Sequence, residues 1–131
     1  MGSQMKIIRV ISELFFTAKV SEICRSIEIE CLVAKSKERL EELLGQNPDV
    51  LVIVDLGLSG GAGPALAGLA VSIIGKDKVF AFYSHVAVEL LSAAQQSGVI
   101  NTYTRSSFFE ELPDIINRHL DQNNAPLSTK L

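Results

Sequence analysis

Val50-Leu51-Val52-Ile53-Val54-Asp55 decides the fold. Five consecutive apolar residues read as a strand buried on both faces, as in parallel sheets, and not as the alternating strand of a half-wet sheet. The carboxylate closing the run stands at the C-terminal end of that strand, where open α/β sheets carry their chemistry. The glycine-rich loop Gly57-Leu58-Ser59-Gly60-Gly61-Ala62-Gly63 follows and allows close backbone approach.

Working outward, strands and helices alternate. Strands are expected at 6–11, 30–34, 50–54, 79–83 and 100–104. Helices are expected at 14–26, 37–44, 65–74, 86–97 and 109–120. Phe16, Val20, Ile23 and Ile27 form the inward stripe of the first helix, and Leu40, Leu43 and Leu44 that of the second. Ser36 suits an N-cap, Gly45 and Gly98 suit helix stops, and Pro64 suits a first helical position. Pro113 is expected in the first turn of the last helix, where proline is tolerated. Five strand–helix units with right-handed crossovers give an α/β fold, a doubly wound five-stranded parallel sheet with helices on both faces. Its C-terminal edge gathers Ser12, Glu13, Asp55, Ser84 and Arg105.

The chain has 131 residues, 47% hydrophobic and 21% charged, which suits one globular domain without metals or disulfides. That domain is expected at 5–120, after a cloning remnant at 1–4 and before a disordered tail at 121–131. A net charge of -3 argues against nucleic acid as a partner, since phosphate binding wants a basic face. No apolar stretch approaches the roughly 18 residues of a membrane span, so no membrane association is expected. Cys24 and Cys31 read as two small buried hydrophobes of a reduced, cytoplasmic protein, with a disulfide between them disfavoured.

The assembled pattern resembles the receiver domain of two-component response regulators over about residues 5 to 120. The resemblance implies a flavodoxin-like sheet of order 2-1-3-4-5. It puts Asp55 on the phosphoacceptor position, Ser84 on the hydroxyl position and Glu13 on the second of two acids. Gly57 falls where a backbone carbonyl helps to hold Mg²⁺, and Gly63 on the glycine that ends the loop. The departures are chemical. Ser12 stands in place of the first acid and Arg105 in place of a lysine. Ser106 and Ser59 replace prolines, and Thr102, beside Tyr103, lies where a switching aromatic often stands. The chain thus looks like a degenerate receiver, or pseudo-receiver.

In such a site Mg²⁺ offsets the charge of a phosphoryl group transferred to a carboxylate. Glu13, Asp55 and the Gly57 carbonyl would supply three ligands, one acid short of the family pattern, so a weak Mg²⁺ site is expected. Asp55, Ser84 and Arg105 would carry the phosphoryl chemistry. Each has a plainer reading beside this one. Asp55 caps the turn after its strand, Glu13 is an acid favoured by a helix dipole, and Ser84 is the N-cap of the fourth helix. Arg105 either neutralises a phosphate or pairs with Asp55 or Glu13 in the unmodified protein. His85 and His119 read as surface residues, with no second ligand near either in sequence.

The expected function is a stand-alone receiver-like signalling domain acting by protein–protein contact, not an enzyme. Phosphorylation at Asp55 would be weak or absent, and a histidine kinase or output protein would be supplied in trans. The resemblance points to the face of the fourth helix, fifth strand and last helix as the contact surface, with a homodimer through the Tyr103 and Phe108 region. The alternative is a flavodoxin-like domain that binds a nucleotide or flavin. Against it, the first strand–helix turn, Ser12-Glu13-Leu14-Phe15-Phe16, is acidic and apolar and lacks a phosphate-cradling composition.

Overall fold

The computed structural model describes residues 5–124, with side chains through residue 120. The elements run β1 (Lys6–Val10), α1 (Leu14–Ile27), β2 (Cys31–Val33), α2 (Lys37–Gln46) and β3 (Val50–Asp55). After the glycine loop come α3 (Gly63–Ile74), a 3₁₀ turn (Lys76–Lys78), β4 (Val79–Tyr83), α4 (Val88–Gln96), β5 (Asn101–Thr104) and α5 (Arg105–Asn124). All strand pairs are parallel, in the order β2-β1-β3-β4-β5.

Strand alternation divides the core into two layers. Val50, Val52 and Val54 of β3 join Ile8, Val10 and Ala81 on the face covered by α2, α3 and α4. Leu51 and Ile53 join Ile7, Ile11, Phe80 and Phe82 on the face covered by α1 and α5. Every residue of β3 is buried, which is why the run shows no polar alternation. The central strand therefore delivers Asp55 to the sheet edge from the most enclosed position in the domain.

Several expected boundaries move, each for a local reason. Helix α2 passes through Gly45 and ends at Gln46, where Asn47 takes over the Leu43 carbonyl with both its backbone N–H (3.0 Å) and its side-chain amide (2.9 Å). Side-chain and backbone donors at Asn47 make a better stop than Gly45. Helix α4 is shorter than expected, starting at Val88 with Ala87 as its N-cap. Helix α5 is longer at both ends. It starts at Arg105, four residues early, so Pro113 lies two turns inside it and leaves the Phe109 carbonyl without its usual helical donor. It also runs to Asn124, so 121–124 are helical and not part of a disordered tail. The expected remnant at 1–4 and the tail from 125 lie outside the described residues. Among the described residues, no helix is long and apolar enough to cross a membrane.

Candidate functional site at the carboxyl end of the sheet

Asp55 is 2% exposed, the one buried charged residue among those described. Its Oδ1 accepts the Gly57 N–H at 2.8 Å, and its backbone carbonyl accepts the Leu58 N–H at 3.0 Å. The first contact is the turn-capping role open from the sequence, and it fixes the carboxylate against the loop. Burial pushes the Asp55 carboxyl above the usual aspartate range. The Gly57 N–H and the Arg105 guanidinium pull the other way, and the nearby Glu13 charge pushes it up again.

The loop owes its shape to Gly63. A Cβ there would lie 2.6 Å from the carbonyl oxygens of both Asp55 and Leu56, closer than real atoms approach. Glycine at this position therefore lets α3 begin directly against the end of β3.

The residues that distinguish this site are each engaged elsewhere. Ser12 Oγ accepts the Ser59 N–H at 3.2 Å, tying the β1–α1 loop to the β3–α3 loop where an acid was missing. Glu13 is the N-cap of α1, its Oε1 accepting the Phe16 N–H at 3.2 Å. Ser84 lies half-buried just past β4, and its carbonyl accepts the Ala87 N–H at 2.8 Å. It is not the N-cap of α4, a position Ala87 holds without a side-chain bond.

Arg105 corrects an expectation. The ion pairs among the described residues are Lys6–Glu30, Arg39–Glu42 and Lys78–Asp49, and Arg105 takes part in none. Its guanidinium carbon instead lies 4.9 Å from the centroid of the Phe16 ring, a cation–π arrangement. Its Nε is buried with no hydrogen-bond partner. Asp55 and Arg105 flank the same glycine: a Cβ at Gly57 would sit 3.4 Å from Asp55 Oδ1 and 3.9 Å from Arg105 Nη2. The cation is thus near the carboxylate but committed to an aromatic face.

That face continues into a groove of about 440 Å³ between α1 and α5, lined by Phe15, Phe16, Lys19, Arg105, Phe109 and Glu110 among others. Lys19 Nζ stands 5.2 Å from the Phe15 centroid and 5.6 Å from that of Phe109. Phe16 and Lys19 were not singled out as site residues from the sequence. The aromatic spacing around Phe16 read only as a core stripe, and nothing local links it to Arg105, which is far along the chain.

Mg²⁺ takes near-octahedral oxygen ligands and commonly one or two carboxylates. Here the Glu13 carboxylate caps α1, Ser12 offers a neutral hydroxyl already in use, and one Asp55 oxygen is bound to the loop. Among the described residues, no group of three His, Cys, Asp or Glu could hold a metal ion. A Mg²⁺ ion here would have to draw on the second oxygens of Glu13 and Asp55 and on the Gly57 carbonyl, with water completing its shell.

The expected contact anchor also changes. Phe108 is fully buried, stacked 5.2 Å from Phe82, and Tyr103 is half-buried against Phe80 and Phe108. Both rings belong to the core layer under α5, so Phe108 presents no surface to a second copy. The large exposed apolar residues are others, among them Leu14, Phe15, Val86, Val88 and Ile100.

No family model and no curated protein sequence matches the chain. Solved structures do. A CheY-like response regulator receiver domain protein from Methanospirillum hungatei JF-1 is 16% identical, with a TM-score of 0.73 over 92% of this chain and 96% of that one. The signal receiver domain of a DNA-binding response regulator from Colwellia psychrerythraea 34H is 15% identical, with a TM-score of 0.73 over 91% and 100%. NtrX from Brucella abortus is 19% identical, with a TM-score of 0.69 over 89% of this chain but only 27% of that longer one. With its five parallel strands in the order 2-1-3-4-5 and helices on both faces, the chain has the fold of response regulator receiver domains.

Proposed function

We propose that this chain is a receiver-like signalling domain that acts by protein–protein contact, with little or no phosphorylation at Asp55. The observation that carries this reading is the occupied state of the site. On the resemblance Asp55 takes the acceptor position, yet Ser12 binds the opposite loop, Glu13 caps α1 and Arg105 stacks on Phe16. A phosphoryl group arriving at Asp55 would meet a buried carboxyl with no preformed metal site to offset its charge. Input by partner binding alone asks for none of these contacts to break.

The flavodoxin-like alternative is less well supported. A phosphate-cradling turn needs free N–H groups at the start of the first helix. The carboxylate of Glu13 already takes one of them.

The test is an amide NMR titration with beryllofluoride, a phosphoryl mimic, in millimolar Mg²⁺. The expected result is no saturable shift at Asp55, Gly57, Ser84 or Arg105. Saturable shifts centred on those residues would defeat the reading.

A further inference from the structure

Cys24 and Cys31 read from the sequence as two small buried hydrophobes, but in the fold the Cys31 sulfur lies beside a cation. Arg9 alternates along β1 with Ile7 and Ile11, so its side chain enters the apolar layer beneath α1. A cation placed there is costly unless it finds a counter-charge. Arg9 takes part in none of the ion pairs among the described residues, and its Nε is buried without a partner. Its Nη1 donates instead to Ser21 Oγ at 2.9 Å and to Cys31 Sγ at 3.3 Å. The counter-charge the arginine lacks is the one a thiolate would provide.

The backbone brings the second cysteine into the same core layer. Helix α1 closes at Glu28, which adopts the left-handed conformation (φ 64°), and the Ile29 N–H returns to the Cys24 carbonyl at 2.9 Å. The chain then enters β2 at Cys31, in register with Ile7 of β1. Cys24 is buried under α1 at 1% exposure, while Cys31 is half-buried on the edge strand of the sheet. Of the two residues, Cys31 is the less buried.

We propose that Cys31, held by Arg9 and backed by Cys24, is a hydroperoxide-reactive thiol whose oxidation ends in a Cys24–Cys31 disulfide. The contact of Arg9 with the Cys31 sulfur supports the assignment of roles. Interaction with Cys24, together with Arg9, draws the Cys31 thiol down against the opposing effect of burial. The same interaction, with burial, pushes the Cys24 thiol up. The Cys31 thiolate attacks one peroxide oxygen and the O–O bond breaks. The departing oxygen takes a proton and leaves as water, and the Cys31 sulfur, oxidised by two electrons, becomes a sulfenic acid. Cys24 then attacks the Cys31 sulfur and the S–O bond breaks. The hydroxide that leaves takes the Cys24 proton, giving a second water and the disulfide. Two thiols and one hydrogen peroxide thus become one disulfide and two waters, and the resting protein stays reduced.

The test uses the reduced full chain. Iodoacetamide alkylation of Cys31, followed by peptide mass spectrometry, should slow by no more than about ten-fold between pH 8 and pH 6. An ordinary thiol slows on the order of 100-fold over that range. One equivalent of hydrogen peroxide should then give the intramolecular disulfide in the wild type. In Cys24→Ser it should give a Cys31 sulfenic acid that dimedone traps. Arg9→Met should restore the steep pH dependence. The wild-type profile needs no variant, so a misfolded Arg9→Met leaves the test intact. A Cys31 profile as steep as an ordinary thiol, or a peroxide-treated wild type with both thiols still free, overturns the proposal.

Discussion

Asp55 carries a cost that its neighbours only partly offset. Its carboxyl is buried, one oxygen holds the Gly57 N–H, and the nearest cation is stacked on Phe16. Because the folded state raises its pKa, the folded protein binds this proton more tightly than the unfolded chain. Its contribution to stability is therefore full below the ordinary aspartate value and is lost as pH rises through the raised folded value. Asp55→Asn keeps an oxygen for Gly57 and removes the charge. It should stabilise the protein at neutral pH by on the order of 1 kcal/mol, a typical size for a point change, and flatten that part of the pH profile in urea melts. An equal or lower midpoint for the variant would mean that Asp55 is better paired than this geometry shows. Gly63 makes the opposite kind of prediction. Gly63→Ala should destabilise by about 1–3 kcal/mol, the usual range for overpacking, because the added carbon meets the Asp55 and Leu56 carbonyls. Calorimetry that finds no loss would refute the close approach. At this scale Asp55 was legible, since an acid ending an apolar run has few plain explanations. The stack of Arg105 on Phe16 was not, because it joins two helices that no local pattern connects. Arg9 was half legible: a charged residue between Ile7 and Ile11 at strand spacing marks a cation facing inward.

At the scale of elements, aromatic rings fasten α1 and α5 to the sheet. Phe82 of β4 has Phe108 and Phe109 at 5.2 Å and Phe16 at 5.6 Å between centroids. Phe16 stacks on Phe109 at 5.5 Å, so the two helices meet through the same cluster. Phe82→Ala should cost about 3–5 kcal/mol, as other buried Phe truncations do. It should also loosen the Arg105 platform, seen as faster amide exchange in the first turn of α5. Exchange unchanged there would separate the cluster from the site. The element order was readable because the strands other than the polar β5 are short, mainly apolar runs and each helix has its stripe. The ends were less so. Gly45 looked like a stop, but Asn47 caps better, and the start of α5 was hidden because Arg105-Ser106-Ser107 is polar and carries no apolar residue.

For the whole molecule, the topology followed from the alternation of strands and helices, since right-handed crossovers leave few arrangements for five parallel strands. The resemblance then supplied the strand order, and the sheet has it. The site followed less far. Its departures were visible as residue types, but what stands in their place depends on contacts made only in the folded chain: Ser12 with Ser59, Arg105 with Phe16. Under the proposed function, the fold keeps the receiver scaffold while its phosphoryl chemistry is disabled at Ser12 and Arg105. The direct measurement is intact-protein mass spectrometry after incubation with acetyl phosphate and Mg²⁺, comparing the wild type with Ser12→Asp/Arg105→Lys. The account predicts an unmodified wild type and a phosphorylated fraction in the double variant that disappears when Asp55→Asn is added. A wild type phosphorylated to high occupancy at Asp55 would contradict it.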